Sequence, residues 1–155
     1  MPTRNYQDST RDVLADMQLG IFVSRAAATL AAALTPIFTV STGAILLTAI
    51  WGKMTVVSGA NNVHLEATPT TGTGAIPIAA NLDFDLPVVG DYVVAPLTGS
   101  GAITYNASAT GLVITGRGII IPVGTIDYHA AAAEGSIAWY MTYVPIEAGA
   151  YVTAA

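Results

Sequence analysis

Apolar and polar residues alternate over short segments through most of the chain after residue 25, which is the pattern of β-strands. The clearest segment is 136–143, where Ile137, Trp139, Met141 and Tyr143 share one face, and we expect this face to pack in the core. Segment 44–57 is apolar on both faces, which predicts a central strand. Its uninterrupted alternation places Ile45, Leu47, Ala49 and Trp51 together, and Gly52 is a candidate bulge. Further strands are predicted at 37–40, 63–67, 75–79, 92–95, 112–114, 119–121 and 125–129.

Turn residues separate these segments at short intervals. Clusters of Gly, Pro, Asn and Ser fall at 58–62, 89–91, 99–101, 116–118 and 122–124. No convincing helical pattern follows Gly20. The sequence therefore predicts an all-β fold, a single β-sandwich or jelly-roll-like domain over residues 26–155.

Residues 1–25 form a polar arm in this interpretation. Ser9 or Thr10 can cap a short helix that ends at Gly20. A helix of this length is marginal alone, so the segment is either a frayed terminus or an arm that orders on a neighbouring subunit. In the second case the predicted contact residues are Arg4, Tyr6, Arg11, Val13, Leu14 and Met17.

Charge is scarce and unevenly placed. Only fifteen of the 155 residues are formally charged, six of them within the first 25 positions, and none lies between 26 and 52. Soluble monomers carry charge at about a quarter of their positions, so this chain belongs in a membrane or covers much of its surface with other protein. Pro36 and the turn at 41–43 interrupt the longest uncharged window. We therefore expect protein contacts and no membrane span.

Composition excludes several kinds of chemistry. The chain has no cysteine, which rules out disulfides and thiolate sites. Its five Lys and Arg residues are never adjacent and its net charge is −5, so we expect no nucleic-acid partner. We also expect no cofactor and no small-molecule substrate.

Two pairs of titratable residues are candidate ion or acid–base sites. Asp83 and Asp85 share a strand face and could contribute to a calcium site, although a solvated strand edge is the favoured interpretation. Asp127 and His129 also share a face, which is compatible with an acid–base or metal pair or with a simple surface hydrogen bond. Neither pair has the additional groups that catalysis needs, so the chain is predicted not to be an enzyme.

A family resemblance rests on the strand-and-turn patterns of segments 37–40, 44–52, 123–127, 137–146 and 149–155. In these the chain resembles small virion proteins of tailed bacteriophages, of the capsid decoration or cement kind. The resemblance covers residues 36–155, leaves out the arm and carries over no binding residue. It implies a homo-oligomer, commonly a trimer, on the outer surface of the capsid, where it bridges major capsid proteins.

Three other functions fit parts of the sequence. A phage tail or fibre-base component would have the same composition. A carbohydrate-binding β-sandwich could use Trp139 or Tyr140 as a stacking platform. A small hydrolase would depend on Asp127 and His129, but no orienting third group accompanies them.

Overall fold

The protein was analysed as a computed structural model that describes residues 20–59, 61–72, 74–84, 87–98, 104–106 and 118–155. These residues form eleven β-strands and no helix. The strands are β1 Ile21–Thr29, β2 Leu34–Ser41, β3 Ile45–Val56, β4 Asn61–Pro69, β5 Ile76–Phe84, β6 Tyr92–Val94, β7 Thr104–Asn106, β8 Ile119–Ile121, β9 Gly124–Ala130, β10 Ser136–Pro145 and β11 Tyr151–Ala154. None of the described residues belongs to a helix that could span a membrane.

The strands form two antiparallel sheets. Sheet A has the order β1-β10-β3-β6-β7, and β8 pairs with the first half of β3 beside β6. Sheet B has the order β11-β2-β9-β4-β5. The predicted all-β class and sandwich architecture are confirmed.

The path of the chain between the sheets is that of a jelly roll. Successive strands β1, β2, β3 and β4 alternate between sheets A and B, and the β4–β5 hairpin stays in sheet B. The chain then returns to sheet A through β6, β7 and β8, crosses to β9 and crosses back to β10. This order places β1-β10-β3-β6 in one sheet and β2-β9-β4-β5 in the other, as in the double Greek key of jelly rolls.

The core lies between the two sheets. Trp139 of β10 is 1% exposed and stacks on Tyr128 of β9, with ring centroids 6.4 Å apart. The Tyr128 hydroxyl accepts a hydrogen bond from the Ala31 amide at 2.9 Å, so the buried phenol keeps a polar partner. The expected core position of Trp139 is confirmed. Other fully buried large side chains are Phe38, Leu30, Ile37, Ile45, Leu47, Ile50, Met54, Leu65 and Ile78.

Strand β3 is central, as predicted, but a bulge changes which of its residues face the core. The register with β10 passes from Ala49 directly to Leu47, which leaves Thr48 as an extra residue. Beyond this bulge the alternation is reversed, so Trp51 lies on the outer face of sheet A. The prediction that Trp51 shares a face with Leu47 is therefore wrong.

Gly52 is not the site of that bulge, since its pairing with Trp139 is regular. Its side of the strand faces the core, where a Cβ atom would lie 2.5 Å from Cγ2 of Ile137. Glycine is therefore favoured here because the side chains of Ile137 and Trp139 on the neighbouring strand β10 lie so close, and not because the backbone is irregular.

The N-terminal boundary differs from the prediction, because β1 begins at Ile21 and the expected division at residue 25 falls inside this strand. Strands β7 and β11 were also not predicted as separate elements. Pro36 lies within β2, beside a register shift, where a missing amide donor is tolerated. The arm helix, its contact residues (Arg4, Tyr6, Arg11, Val13, Leu14 and Met17) and the predicted strand at 112–114 lie outside the described residues.

Candidate functional site

Three aromatic side chains meet on the outer face of sheet A. Phe22 of β1, Tyr140 of β10 and Trp51 of β3 lie on neighbouring strands. Tyr140 and Trp51 are register partners, and Phe22 pairs with Thr142, two residues along β10 from Tyr140 and therefore on the same face. The ring centroids are 6.1 Å apart for Phe22 and Tyr140 and 5.8 Å for Trp51 and Tyr140, with interplanar angles of 20° and 22°. We call Phe22, Trp51 and Tyr140 the aromatic cluster.

Further apolar residues lie on the same face of sheet A, with the hydrogen-bonded Thr48 and Thr142 between the cluster and the end of the face near β8. Lys53 pairs with Tyr92 of β6, and its ammonium lies 5.8 Å from the centre of the Tyr92 ring. On the other half of β3, Leu46 pairs with Ile120 of β8. Phe22 is 57% exposed, Ile120 60% and Tyr92 41%. We refer to the aromatic cluster together with Leu46, Tyr92 and Ile120 as the apolar face.

Such a face is unusual for the exterior of a soluble domain. Antiparallel sheets normally present polar side chains on the face turned away from the core. Contiguous apolar patches beyond a few hundred Å² on a soluble protein commonly mark a binding surface. The apolar face includes a Trp and two Tyr residues, which are the types that dominate binding energy at protein interfaces.

The outer face of sheet B is more polar, although the exposed Leu34 of β2 and Tyr151 of β11 also lie on it. Thr153, Thr39, Thr125 and Thr68 are successive register partners across β11, β2, β9 and β4, and we call them the threonine row. The adjacent positions on β4 and β9 hold two further opposed pairs, Glu66 with Asp127 and His64 with His129.

Asp127 is engaged by threonines. Its carboxylate oxygen Oδ2 accepts hydrogen bonds from Thr68 Oγ1 at 2.6 Å and from Thr125 Oγ1 at 2.9 Å, and the residue is 1% exposed. His129 lies on the same face, as the strand period predicts, but its ring stacks on His64 at 4.9 Å between centroids. The hydrogen bonds of Asp127 therefore fix it to the threonine row, and its proposed acid–base partnership with His129 gains no support from this geometry.

The remaining candidate chemistry is limited. Within the described ranges, no group of three or more His, Asp or Glu side chains is placed to hold a metal ion. An open depression of about 270 Å³ between β4 and β5 is lined by His64, Leu65, Glu66, Pro77, Ala79, Ala80 and Asn81. Asp83 is part of β5, whereas Asp85 lies outside the described residues.

Comparisons with known proteins add no relative: no family model, curated protein or solved structure matches this chain. Of the two aromatic residues considered for a binding platform, only Tyr140 reaches the surface, since Trp139 is buried. Phe22 and Trp51 were not predicted for this surface. The sequence pattern assigns Phe22 to the arm, and no residue type near Thr48 indicates the bulge.

Proposed function

We propose that this chain is a structural virion protein of the capsid decoration or cement kind, which binds the outside of a tailed-phage head and bridges neighbouring major capsid proteins. The observation that carries the proposal is the apolar face on a sandwich with few charges. Covering these aromatic groups with protein stabilises a complex by about 25 cal/mol for each Å² of apolar area removed from water.

The composition of the apolar face favours a protein partner over a polyanion. The described strands β1, β3, β6, β8 and β10 contain two charged residues, Arg25 and Lys53. Arg25 is the register partner of the core residue Trp139, so Lys53 is the charged residue on the outer side, and its ammonium lies over the Tyr92 ring. Binding through this face should therefore depend little on ionic strength, because apolar contacts are not screened by salt.

The jelly-roll path is compatible with the proposal only as an analogy of fold. Jelly rolls serve in viral capsid proteins and also in lectins, and a fold does not determine a function. The path therefore keeps both a virion role and a carbohydrate-binding role under consideration.

Association into a homo-oligomer would make weak contacts effective. A trimer that touches several capsid subunits at once gains avidity on the order of a hundredfold or more, provided that the geometry allows simultaneous engagement. A protein that binds only the assembled lattice also stabilises that lattice by mass action. This is how a clamp without catalytic activity would oppose the pressure of packaged DNA.

The decisive experiment measures self-association and binding to particles. Light scattering gives the oligomeric state, and co-sedimentation with emptied, undecorated heads and with isolated tails tests the site of attachment. We expect an oligomer that binds heads. Attachment to tails alone would favour the tail or fibre-base alternative, and a monomer without affinity for either would overturn the proposal.

Matched surface variants assign the binding to the apolar face. Phe22→Ser combined with Trp51→Ser should weaken association by about 30-fold or more, the scale of an interface hot spot. Tyr151→Ser is the control, because Tyr151 is also exposed, at 48%, but belongs to sheet B. Equal losses in both variants would show that the apolar face has no special role.

A carbohydrate-binding function is the second candidate, favoured by the position of Tyr140 and Trp51 at the surface. Sugars stack on exposed aromatic groups. Binding on a glycan array that disappears in Trp51→Ala, while the variant stays folded, would support this function. Glycan binding that is unchanged in Trp51→Ala would remove this surface as the platform.

A further inference from the structure

The histidines of sheet B form a pair that neither the apolar face nor the proposed virion role uses. His64 of β4 and His129 of β9 are direct register partners on the outer face. Their rings are stacked, with centroids 4.9 Å apart and planes 22° apart. Both residues are partly exposed, and the side chain of His64 retains 29% of its surface. Two imidazoles are thus held side by side on central strands with access to water.

The pair has one carboxylate beside it on β4 and, on β2, the apolar side chain of Leu34, which is the register partner of His129. The nearest carboxylate is Glu66, whose Oε2 lies 3.7 Å from Nε2 of His64, which is too long for a hydrogen bond. Asp127, across from Glu66, is held by Thr68 and Thr125. The open depression between β4 and β5 is lined by His64 and Glu66 and gives solvent access to the His64 ring.

We propose that His64 and His129 together chelate a divalent transition-metal ion, with Cu²⁺ the preferred ion and water completing its coordination. Neutral imidazole is a suitable ligand for copper, nickel and zinc, and affinity for these ions is highest for Cu²⁺. The site has two protein ligands, so it differs from the closed, four-ligand sites of structural zinc.

The distances are compatible with chelation. Metal–nitrogen bonds of about 2.0–2.1 Å place two ligand nitrogens at most about 4 Å apart. Directly opposed residues on paired strands have Cβ atoms about 4.5–5.5 Å apart, which is close enough for two imidazoles to reach one ion. The rings are stacked with planes 22° apart, so at least one must rotate about its side-chain bonds before a nitrogen of each faces the ion. Because both residues sit on paired strands, little backbone ordering is needed on binding. Glu66 is close enough to accept a hydrogen bond from a metal-bound water and to offset the charge of the ion.

Titration of tag-free protein with Cu²⁺ tests the proposal. We expect one ion per chain, an electron paramagnetic resonance spectrum with hyperfine coupling to two imidazole nitrogens, and a higher midpoint of thermal unfolding. His64→Asn and His129→Asn should each weaken binding at least about tenfold, because either variant removes the chelate.

Two controls keep the test specific. Thr153→Ala changes the same outer face away from the histidines and should leave Cu²⁺ binding unaltered. Circular dichroism checks that the His variants keep their strand content. A spectrum with a single nitrogen ligand, or binding that survives in the His64→Asn/His129→Asn double variant, would overturn the proposal. Both outcomes are independent of whether the protein binds phage heads.

Discussion

The outer faces of the two sheets differ in chemistry although both cover the same core. Sheet B follows the usual rule for antiparallel sheets, with the threonine row, Glu66 and the paired histidines turned away from the core. Sheet A breaks that rule, since Phe22, Trp51, Tyr140 and Ile120 occupy its outer face. Sheet B also exposes Leu34 and Tyr151, but these are separate from one another, whereas sheet A brings three aromatic rings together.

The comparison also explains why scarce charge is tolerable. Sheet B achieves its polarity through hydroxyl groups, which need no counter-charge and can bond one another or a carboxylate such as Asp127. On the outer face of sheet A the corresponding contact is a single hydrogen bond of 2.8 Å between the hydroxyl groups of Thr48 and Thr142. A low count of charged residues therefore does not mean that both faces require a partner.

The largest expected effect is the difference in stability between a variant on the core side of sheet A and one on its outer side. Trp139→Ala removes a side chain at the centre of the core and should lower the free energy of unfolding by about 3–5 kcal/mol. Its neighbour Tyr140 belongs to the aromatic cluster, so Tyr140→Ala should cost less than about 1.5 kcal/mol. Chemical denaturation measures both values. Similar losses would contradict the assignment of Tyr140 to a surface free of the core.

A smaller effect is expected at the carboxylate of sheet B. Asp127→Ala removes the acceptor for Thr68 and Thr125, and hydrogen bonds to a charged group contribute about 1.5–3 kcal/mol. Urea denaturation should show a loss of this size, while Glu66→Ala, on the more exposed opposed position, should cost less than about 1 kcal/mol. The double variant Asp127→Ala with Thr68→Val tests the hydrogen bond between these two residues. If its loss of stability equalled the sum of the losses in the two single variants, the residues would not be coupled.

The smallest change in stability should come from making sheet B resemble sheet A. Thr39→Val with Thr153→Val alters two neighbours in the threonine row that are not the hydrogen-bond donors of Asp127, and each change should alter the free energy of unfolding by about 0.5 kcal/mol or less. The clearer result is expected in light scattering, where new self-association should appear as the apolar area grows. Unchanged scattering would indicate that the threonine row does not keep this face unpaired.

Local alternation was sufficient to predict several strands and the core. The segment of β10 was recognised because Ile137, Trp139 and Met141 recur at every second position, and a side chain's face in a regular strand follows from that period alone. The same rule placed Asp127 and His129 on one face. These predictions needed no knowledge of which strands pair.

Features that depend on pairing were not predictable in the same way. The bulge at Thr48 has no distinctive residue type, yet it moves Trp51 to the other face. The contacts of Asp127 with Thr68 and of His129 with His64 join residues about sixty positions apart, and only the register of β4 with β9 brings them together. The aromatic cluster likewise requires β1, β10 and β3 to be adjacent.

The bulge in β3 also gives the strand one residue more than its pairing with β10 requires. Leu47 and Ile50 both face the core although they are three positions apart, so a regular strand of the same length would turn one of them outward. Deleting Thr48 would leave these two residues two positions apart, and both could stay in the core with regular pairing to β10. The chain should therefore tolerate the loss of a residue at this point better than within the regularly paired stretch 49–54, where a deletion would turn part of the strand over.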